Sequence, residues 1–150
     1  SQCDRIESAS EFGYGVIMKK ILMIIIFSLL FSENSFAGGA GELKINDNVI
    51  NNFQRYLSHN KPVVFLVTID GQNSWGWRCP HNQCVHTGAM NEKKLCERRF
   101  GNKCEIFALR RSIRWKNKQT VNLKGKDKRF SSKDSLNEIK TKLTNLGFYD

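Results

Sequence analysis

Apolar side chains recur at intervals of three and four residues in the segment that follows Asp47, as expected for one face of a helix. The spacing predicts a helix over residues 48–58, with Asp47 as its N-terminal cap. Its inward positions are Val49, Ile50, Phe53 and Leu57. The near-continuous apolar run PVVFLVTI follows, and its β-branched and aromatic residues predict a central strand.

After a turn predicted at Asp70 and Gly71, the segment SWGWRC alternates so that Trp75 and Trp77 share one face of a second strand. A shorter amphipathic helix is predicted over residues 88–99, ending at the glycine that follows Phe100. Its expected inward residues are Ala89, Met90, Leu95 and Cys96.

Two further strands are predicted in CEIFAL and SIRWK, joined by a tight link at Arg110 and Arg111 or by a slightly longer loop. The polar and basic segment 117–132 is predicted to be an exposed loop. A last helix would start near Ser132, capped by Ser132 or Asp134. It would direct inward Leu136, Ile139, Leu143 and Leu146. The order α-β-β-α-β-β-α predicts an α+β domain with an antiparallel sheet of about four strands.

The N-terminal part of the 150-residue chain has the pattern of a secretory signal peptide over residues 18–37. Lys19 and Lys20 precede an apolar run at 21–31, and small residues follow before a cut predicted after Ala37. That run would be about 16 Å long as a helix, roughly half of a bilayer core. Residues 1–17 are interpreted as upstream read-through or vector sequence, and 38–150 as one periplasmic or secreted domain.

Removal of the leader leaves four of the five cysteines, and an even number in a short exported chain predicts disulfides. Four cysteines allow three pairings. The favoured one joins Cys79 to Cys84 and Cys96 to Cys104, because each bond closes a short local ring worth about 2 to 3 kcal/mol.

The same region offers a metal site as an alternative, since Cys79, His81, Cys84 and His86 are ligand types used by zinc and copper. Neighbours one residue apart on an extended chain point to opposite faces, so convergence of all four would need an irregular loop. Disulfides are therefore favoured and no cofactor is expected. A periplasmic metal-binding or redox protein is the first alternative function.

Charge is concentrated in one stretch of a chain whose formal net charge is +10. Residues 93–133 contain 15 basic and 3 acidic residues, a net charge of +12. Such a field attracts polyanions or simply keeps a solvated face soluble. The candidate anion-binding residues are Arg110, Arg111, Arg114, Lys116, Lys124, Lys126, Lys128 and Arg129. Expected partners are an anionic envelope polymer, lipid head groups or a protein, with nucleic acid not favoured and no integral membrane span.

Aromatic residues supply a second candidate surface, in which Trp75, Trp77 and Trp115 would form a stacking platform for sugars or bases. The alternative is that they fill a small core. The chain has no G-x-S-x-G motif, no phosphate-binding glycine loop and no recognisable carboxylate pair. A binding role is therefore favoured over an enzyme. A secreted hydrolase or toxin acting on nucleic acid is the second alternative.

The segment from Val49 to Lys116 resembles a group of small bacterial periplasmic domains of unknown function that contain disulfides. In that group a cysteine at the end of a helix precedes a cysteine that opens a strand, as Cys96 and Cys104 do here, and a tryptophan closes the next strand, as Trp115 does. The resemblance implies export, disulfides and a compact α+β module, with no catalytic residue. The sequence thus predicts an exported basic binding module.

Overall fold

The computed structural model describes residues 38–79 and 88–150. The predicted leader, the residues before it, and His81, Cys84 and His86 lie outside this range. The elements are α1 (Asp47–Ser58), β1 (Pro62–Thr68), β2 (Ser74–Arg78), α2 (Gly88–Phe100), β3 (Cys104–Leu109), β4 (Ser112–Ile113), a 3-10 turn (Gly125–Lys128) and α3 (Leu136–Asn145). Within the described ranges, no helix is long and apolar enough to cross a membrane.

The four strands form one antiparallel sheet in the order β2-β1-β3-β4, which confirms the predicted fold class and the central place of β1. A bulge interrupts β3, because Phe65 pairs with Ala108 and the next residue of β1, Leu66, pairs with Ile106. The extra residue is Phe107. Phe107 and Ala108 therefore both belong to the core on the same side of the sheet.

Helices α1 and α3 pack against each other, and α1 also packs against the sheet, forming the larger of two cores. The ring of Phe53 lies at its centre and approaches the rings of Tyr56, Phe65, Phe107 and Phe130 at centroid distances of 5.0 to 6.0 Å. The predicted inward residues of both helices are buried or packed at this core. The 3.6-residue periodicity thus identified the correct faces.

Helix α2 covers the opposite face of the sheet, over a smaller core of Val64, Leu66, Ala89, Cys96, Cys104 and Ile106. The prediction for Met90 is wrong, because its side chain is 45% exposed. Glu92 is buried in this region instead, where its carboxylate accepts a hydrogen bond from the indole of Trp75 at 2.6 Å. The hydrogen bond with Trp75 therefore keeps Glu92 buried, although the hydropathy pattern of α2 predicts Met90 at an inward position.

Both predicted helix caps are corrected by the structure. Helix α1 is capped by Asn46, whose Oδ1 accepts from the backbone N–H of Val49, while Asp47 lies in the first turn. Helix α3 is capped by Ser135, which forms a capping box with Glu138. In each case several candidate cap residues lie close together, and the exact start of the helix decides which one acts.

The last predicted strand is shorter than SIRWK, because only Ser112 and Ile113 pair with β3. After Ile113, residues 39 and 40 lie between β3 and the segment that contains Lys116. Gly39 donates to the carbonyl of Ile106 at 2.9 Å and accepts from the N–H of Lys116 at 2.8 Å. A Cβ on Gly39 would lie 2.3 Å from the Trp115 ring. The close approach of Gly39 to the Trp115 ring, between Ile106 and Lys116, therefore requires a residue without a side chain.

Candidate anion-binding surface

Two basic segments of the sequence, residues 110–116 and residues 124–129, meet at the β4 edge of the sheet. A two-residue link of Arg110 and Arg111 joins β3 to β4, with Arg110 in the left-handed region at φ 51°. Ser112 forms an antiparallel bridge with Arg129, and the N–H of Phe130 donates to the carbonyl of Arg111 at 2.8 Å. These contacts place the segment that contains the 3-10 turn directly beside the hairpin.

We call the cationic side chains of this region the basic edge. They are Arg110, Arg114, Lys124, Lys126, Lys128 and Arg129. All are exposed except the half-buried Lys128, and none forms an ion pair with any residue in 38–79 or 88–150. The exposed Asp127 lies in the same 3-10 turn, so the edge carries six positive charges and one negative charge, and this net excess produces a local potential that favours polyanions.

Arg111 has a different role from its neighbour Arg110. Its guanidinium donates from Nε to the carbonyl of Leu57 at 3.1 Å and from Nη2 to the carbonyl of His59 at 2.6 Å. These carbonyls lie at the C-terminal end of α1, where a cation is favoured by the helix dipole and by the unsatisfied backbone acceptors. This predicted anion-binding residue is therefore engaged in stabilising the fold.

Lys116 lies in a separate groove of about 400 Å³ that is also lined by Lys44 and Lys118. The ammonium of Lys44 is 2.6 Å from the Asp150 carboxylate, so part of the positive charge there is neutralised. We therefore treat Lys116 apart from the basic edge.

The three tryptophans do not share one surface. Trp75 and Trp77 lie on the same face of β2, as predicted, and are half-buried against the core beneath α2. Trp115 belongs to the core of α1 and α3, is 3% exposed, and donates from its indole N–H to the carbonyl of Gly41 at 2.9 Å. The arrangement separates Trp115 from the other two and matches the core-filling alternative for this residue.

The disulfide predicted between Cys96 and Cys104 is present, with both residues fully buried and their Cα atoms 6.2 Å apart. It joins α2 to the start of β3. Cys79 is also disulfide-bonded, whereas Cys84, its predicted partner, lies outside the described residues. A sulfur held in a disulfide offers no thiolate to a metal, and the other three residues of the alternative metal site also lie outside the described ranges.

Some of the positive charge counted in the sequence is paired within the fold. Glu105 lies 3.0 Å from the ammonium of Lys93 and 3.1 Å from that of Lys103. Burial raises the pKa of Glu105, but the hydrogen bonds and charges of the two lysines outweigh it, so the pKa is lowered overall. The available charge is thus lower around α2 than the sequence count implies.

Sequence reasoning missed a second pair of cations, Arg55 and Arg78, which line a pocket between α1 and β2 together with His59. Arg55 and Arg78 are far apart along the chain, and neither belongs to a motif. The parallel course of helix and strand alone brings them together. Charge runs identify basic segments, but they cannot identify cations that gather from distant segments.

Comparison of the chain with protein-family models, with curated proteins and with solved structures gives no match. Of the resemblance to periplasmic domains, the structure confirms the disulfide between Cys96 and Cys104 and the α+β fold. Any function must therefore be argued from the surface chemistry of the described residues.

Proposed function

We propose that this chain is an exported, non-enzymatic binding module whose basic edge binds an anionic polymer of the cell envelope. The observation that supports this proposal is the convergence of two basic segments, through the bridge between Ser112 and Arg129, into one edge. No acidic residue of the described ranges forms an ion pair with its six cations.

The chemistry of the basic edge suits a repeating anion better than a single small one. Arginine presents a planar fork to phosphate or carboxylate, and lysine adds a mobile point charge. Exposed pairs of this kind are individually weak, so useful affinity requires several contacts at once along a polymer. Binding through exposed charges is also screened by salt.

Export is supported by the sulfur chemistry as well as by the leader pattern. A disulfide in a small domain persists in the periplasm or outside the cell and is rarely kept in a reducing cytosol. The bond between Cys96 and Cys104 is buried in the core, which fits a structural role. The envelope is therefore the compartment in which we place the proposed partner.

The test compares two variants of equal charge in the oxidised full-length chain. Lys124→Gln/Lys126→Gln/Arg129→Gln removes three cations of the basic edge. Lys94→Gln/Arg98→Gln/Arg99→Gln removes three exposed cations of α2, none of which forms an ion pair with a described residue. Binding is measured by co-sedimentation with phosphatidylglycerol vesicles, with phosphatidylcholine vesicles and with cell-wall sacculi.

We expect binding to sacculi at low ionic strength that falls at least tenfold in high salt. Binding to the anionic vesicles without binding to sacculi would assign the partner to lipid head groups and contradict the polymer. The basic-edge variant should bind at least tenfold more weakly, and the α2 variant should stay within threefold of the wild type. Retention that is equal at low and high salt would contradict the proposal, as would equal losses in the two variants. Cleavage of added RNA or DNA would replace it with the nucleic-acid alternative.

A further inference from the structure

Helix α1 and strand β2 run side by side in the same direction and enclose a pocket of about 230 Å³. At one end, Nδ2 of Asn52 donates to Oγ of Ser74 at 3.2 Å. At the other end, Nη1 of Arg78 lies 2.9 Å from Nδ1 of His59. These two contacts between helix and strand close the ends of the pocket, so it suits a compact ligand better than a continuous polymer.

The floor of this pocket is aromatic because β2 carries a glycine at its middle position. A Cβ on Gly76 would lie 3.3 Å from Cδ2 of Phe65 and 3.5 Å from Cδ2 of Tyr56. Any larger side chain on Gly76 would therefore occupy space next to the two rings. With glycine there, the pocket lies directly over Gly76 and is bordered by the edges of the two rings, whose residues are otherwise buried.

The walls of the pocket are cationic. Arg55 and Arg78 both line it, and neither forms an ion pair within residues 38–79 and 88–150. Burial, and then the charge of Arg78, lower the pKa of His59. The imidazole is therefore neutral at pH 7 and can accept a hydrogen bond from Arg78, which orients the guanidinium beside the pocket.

Tyr56 contributes an unsatisfied polar group as well as its ring. Its hydroxyl is buried and has no hydrogen-bond partner among the described residues. Burial raises the pKa of this phenol far above its usual range, so the hydroxyl keeps its proton. Buried hydroxyl groups without a partner are uncommon in folded proteins and call for an explanation such as an absent acceptor.

We propose that this pocket binds a carboxylate carried on a small apolar group, such as the terminal residue of a peptide or a free aromatic acid. The guanidinium groups of Arg55 and Arg78 would hold the carboxylate, and the apolar part would lie over Gly76, against the edges of the Phe65 and Tyr56 rings. The volume suits a ligand about the size of one amino acid, below the roughly 300 Å³ at which drug-sized pockets begin. This site is separate from the basic edge and does not depend on the function proposed for it.

The probes are N-acetylphenylalanine and its amide, which differ only in the carboxylate, together with inorganic phosphate. Binding to the oxidised full-length chain is followed by NMR at the Gly76 amide and the His59 imidazole. We expect the acid to bind at least tenfold more tightly than the amide and more tightly than phosphate. A tetrapeptide ending in phenylalanine then distinguishes a peptide terminus from a free aromatic acid as the ligand. If the pocket takes a peptide terminus, the tetrapeptide should bind at least as tightly as the single residue; weaker binding would indicate the free acid.

Matched variants test the assigned groups. Arg55→Gln and Arg78→Gln should each weaken binding of the acid at least fivefold, while Arg99→Gln, an exposed cation on α2, should change it less than twofold. Gly76→Val should abolish binding by filling the floor, with an unchanged far-UV circular dichroism spectrum. Equal binding of acid and amide, tighter binding of phosphate, or an equal effect of Arg99→Gln would each overturn the proposal.

Discussion

The two faces of the sheet are stabilised in different ways. Within the described residues, the face covered by α1 and α3 buries eighteen hydrophobic residues, and the face beneath α2 buries six, two of which are the cysteines of the disulfide. A large aromatic core stabilises the first face through buried area and close packing. The second face has fewer fully buried residues, and the larger side chains packed against it, Trp75, Trp77, Phe100 and Leu109, are only partly buried, so it depends more on specific links.

Four links connect α2 to the sheet or to the loop at its end. They are the disulfide between Cys96 and Cys104, the Trp75 to Glu92 hydrogen bond, the Lys93 to Glu105 ion pair, and a bond from the Cys104 N–H to the Glu97 carboxylate. Each link fixes the position of α2 at one point, where the six buried side chains of this core provide less packing than the eighteen on the first face. The comparison predicts that single core substitutions have the largest effect on the first face and that link substitutions have the largest effect on the second.

The largest effect is expected for Phe53→Ala, which removes the ring at the centre of the α1 and α3 core. We expect a loss of about 3 to 5 kcal/mol in the free energy of unfolding, since the ring is fully buried and its cavity cannot close easily. Urea denaturation measures this. Ile69→Ala, at a side chain that is 48% exposed, is the control and should change stability by less than about 0.5 kcal/mol. A similar loss in both variants would contradict the prediction.

The disulfide is the next largest contributor. Cys96→Ala/Cys104→Ala opens a ring with a sequence separation of eight, so we expect a loss of about 2 to 3 kcal/mol. Hydrogen exchange should show the amides of α2 losing protection before those of α1. Uniform loss of protection on both faces would mean that the second face does not depend on its covalent link as we infer.

Glu92→Ala should cost about 1 to 3 kcal/mol, because it leaves the half-buried indole N–H of Trp75 without its acceptor. Glu92→Gln should cost less, since the amide oxygen can accept the same bond. A double-mutant cycle with Trp75→Phe isolates the interaction by urea denaturation. Additive effects of the two substitutions would show that this hydrogen bond contributes nothing to holding α2.

The smallest effect is expected from Glu105, whose pKa the fold lowers below the ordinary value of 4.5. A carboxylate with a lowered pKa contributes stability that is fully present above that value and is lost as pH falls through the folded pKa. We expect this contribution to be below about 1 kcal/mol, because the pair is partly exposed. Urea denaturation at pH 7 and pH 3 should show a smaller loss for Glu105→Gln than for the wild type; identical losses would exclude the contribution.

Most of the architecture was predictable from the sequence, because it follows from local periodicity. The faces of α1 and α3, the central place of β1, and the shared face of Trp75 and Trp77 all follow from which positions are apolar. The pairing of Cys96 with Cys104 was predicted from their short spacing. Errors arose where a polar contact decided the outcome, as for the buried Glu92 and the cap at Asn46.

The candidate sites were less predictable. The sequence identified which segments are basic, but it could not separate Arg110, which is exposed, from Arg111, whose guanidinium binds the carbonyls at the end of α1. It gave no sign that Arg55 and Arg78 line one pocket. Distances between residues remote in the chain depend on how helices and strands pack. The composition of each segment does not predict this packing.

By itself, the amino-acid sequence determined the inward faces of α1 and α3, the order of helices and strands, and the pairing of Cys96 with Cys104, because these follow from backbone period and short chain separation. Only the tertiary structure decided which charges are available, which are paired, and which gather around a pocket. The physical reason is that the period of apolar residues is a local property of the chain, whereas the availability of a charge is set by the neighbours that the fold brings to it.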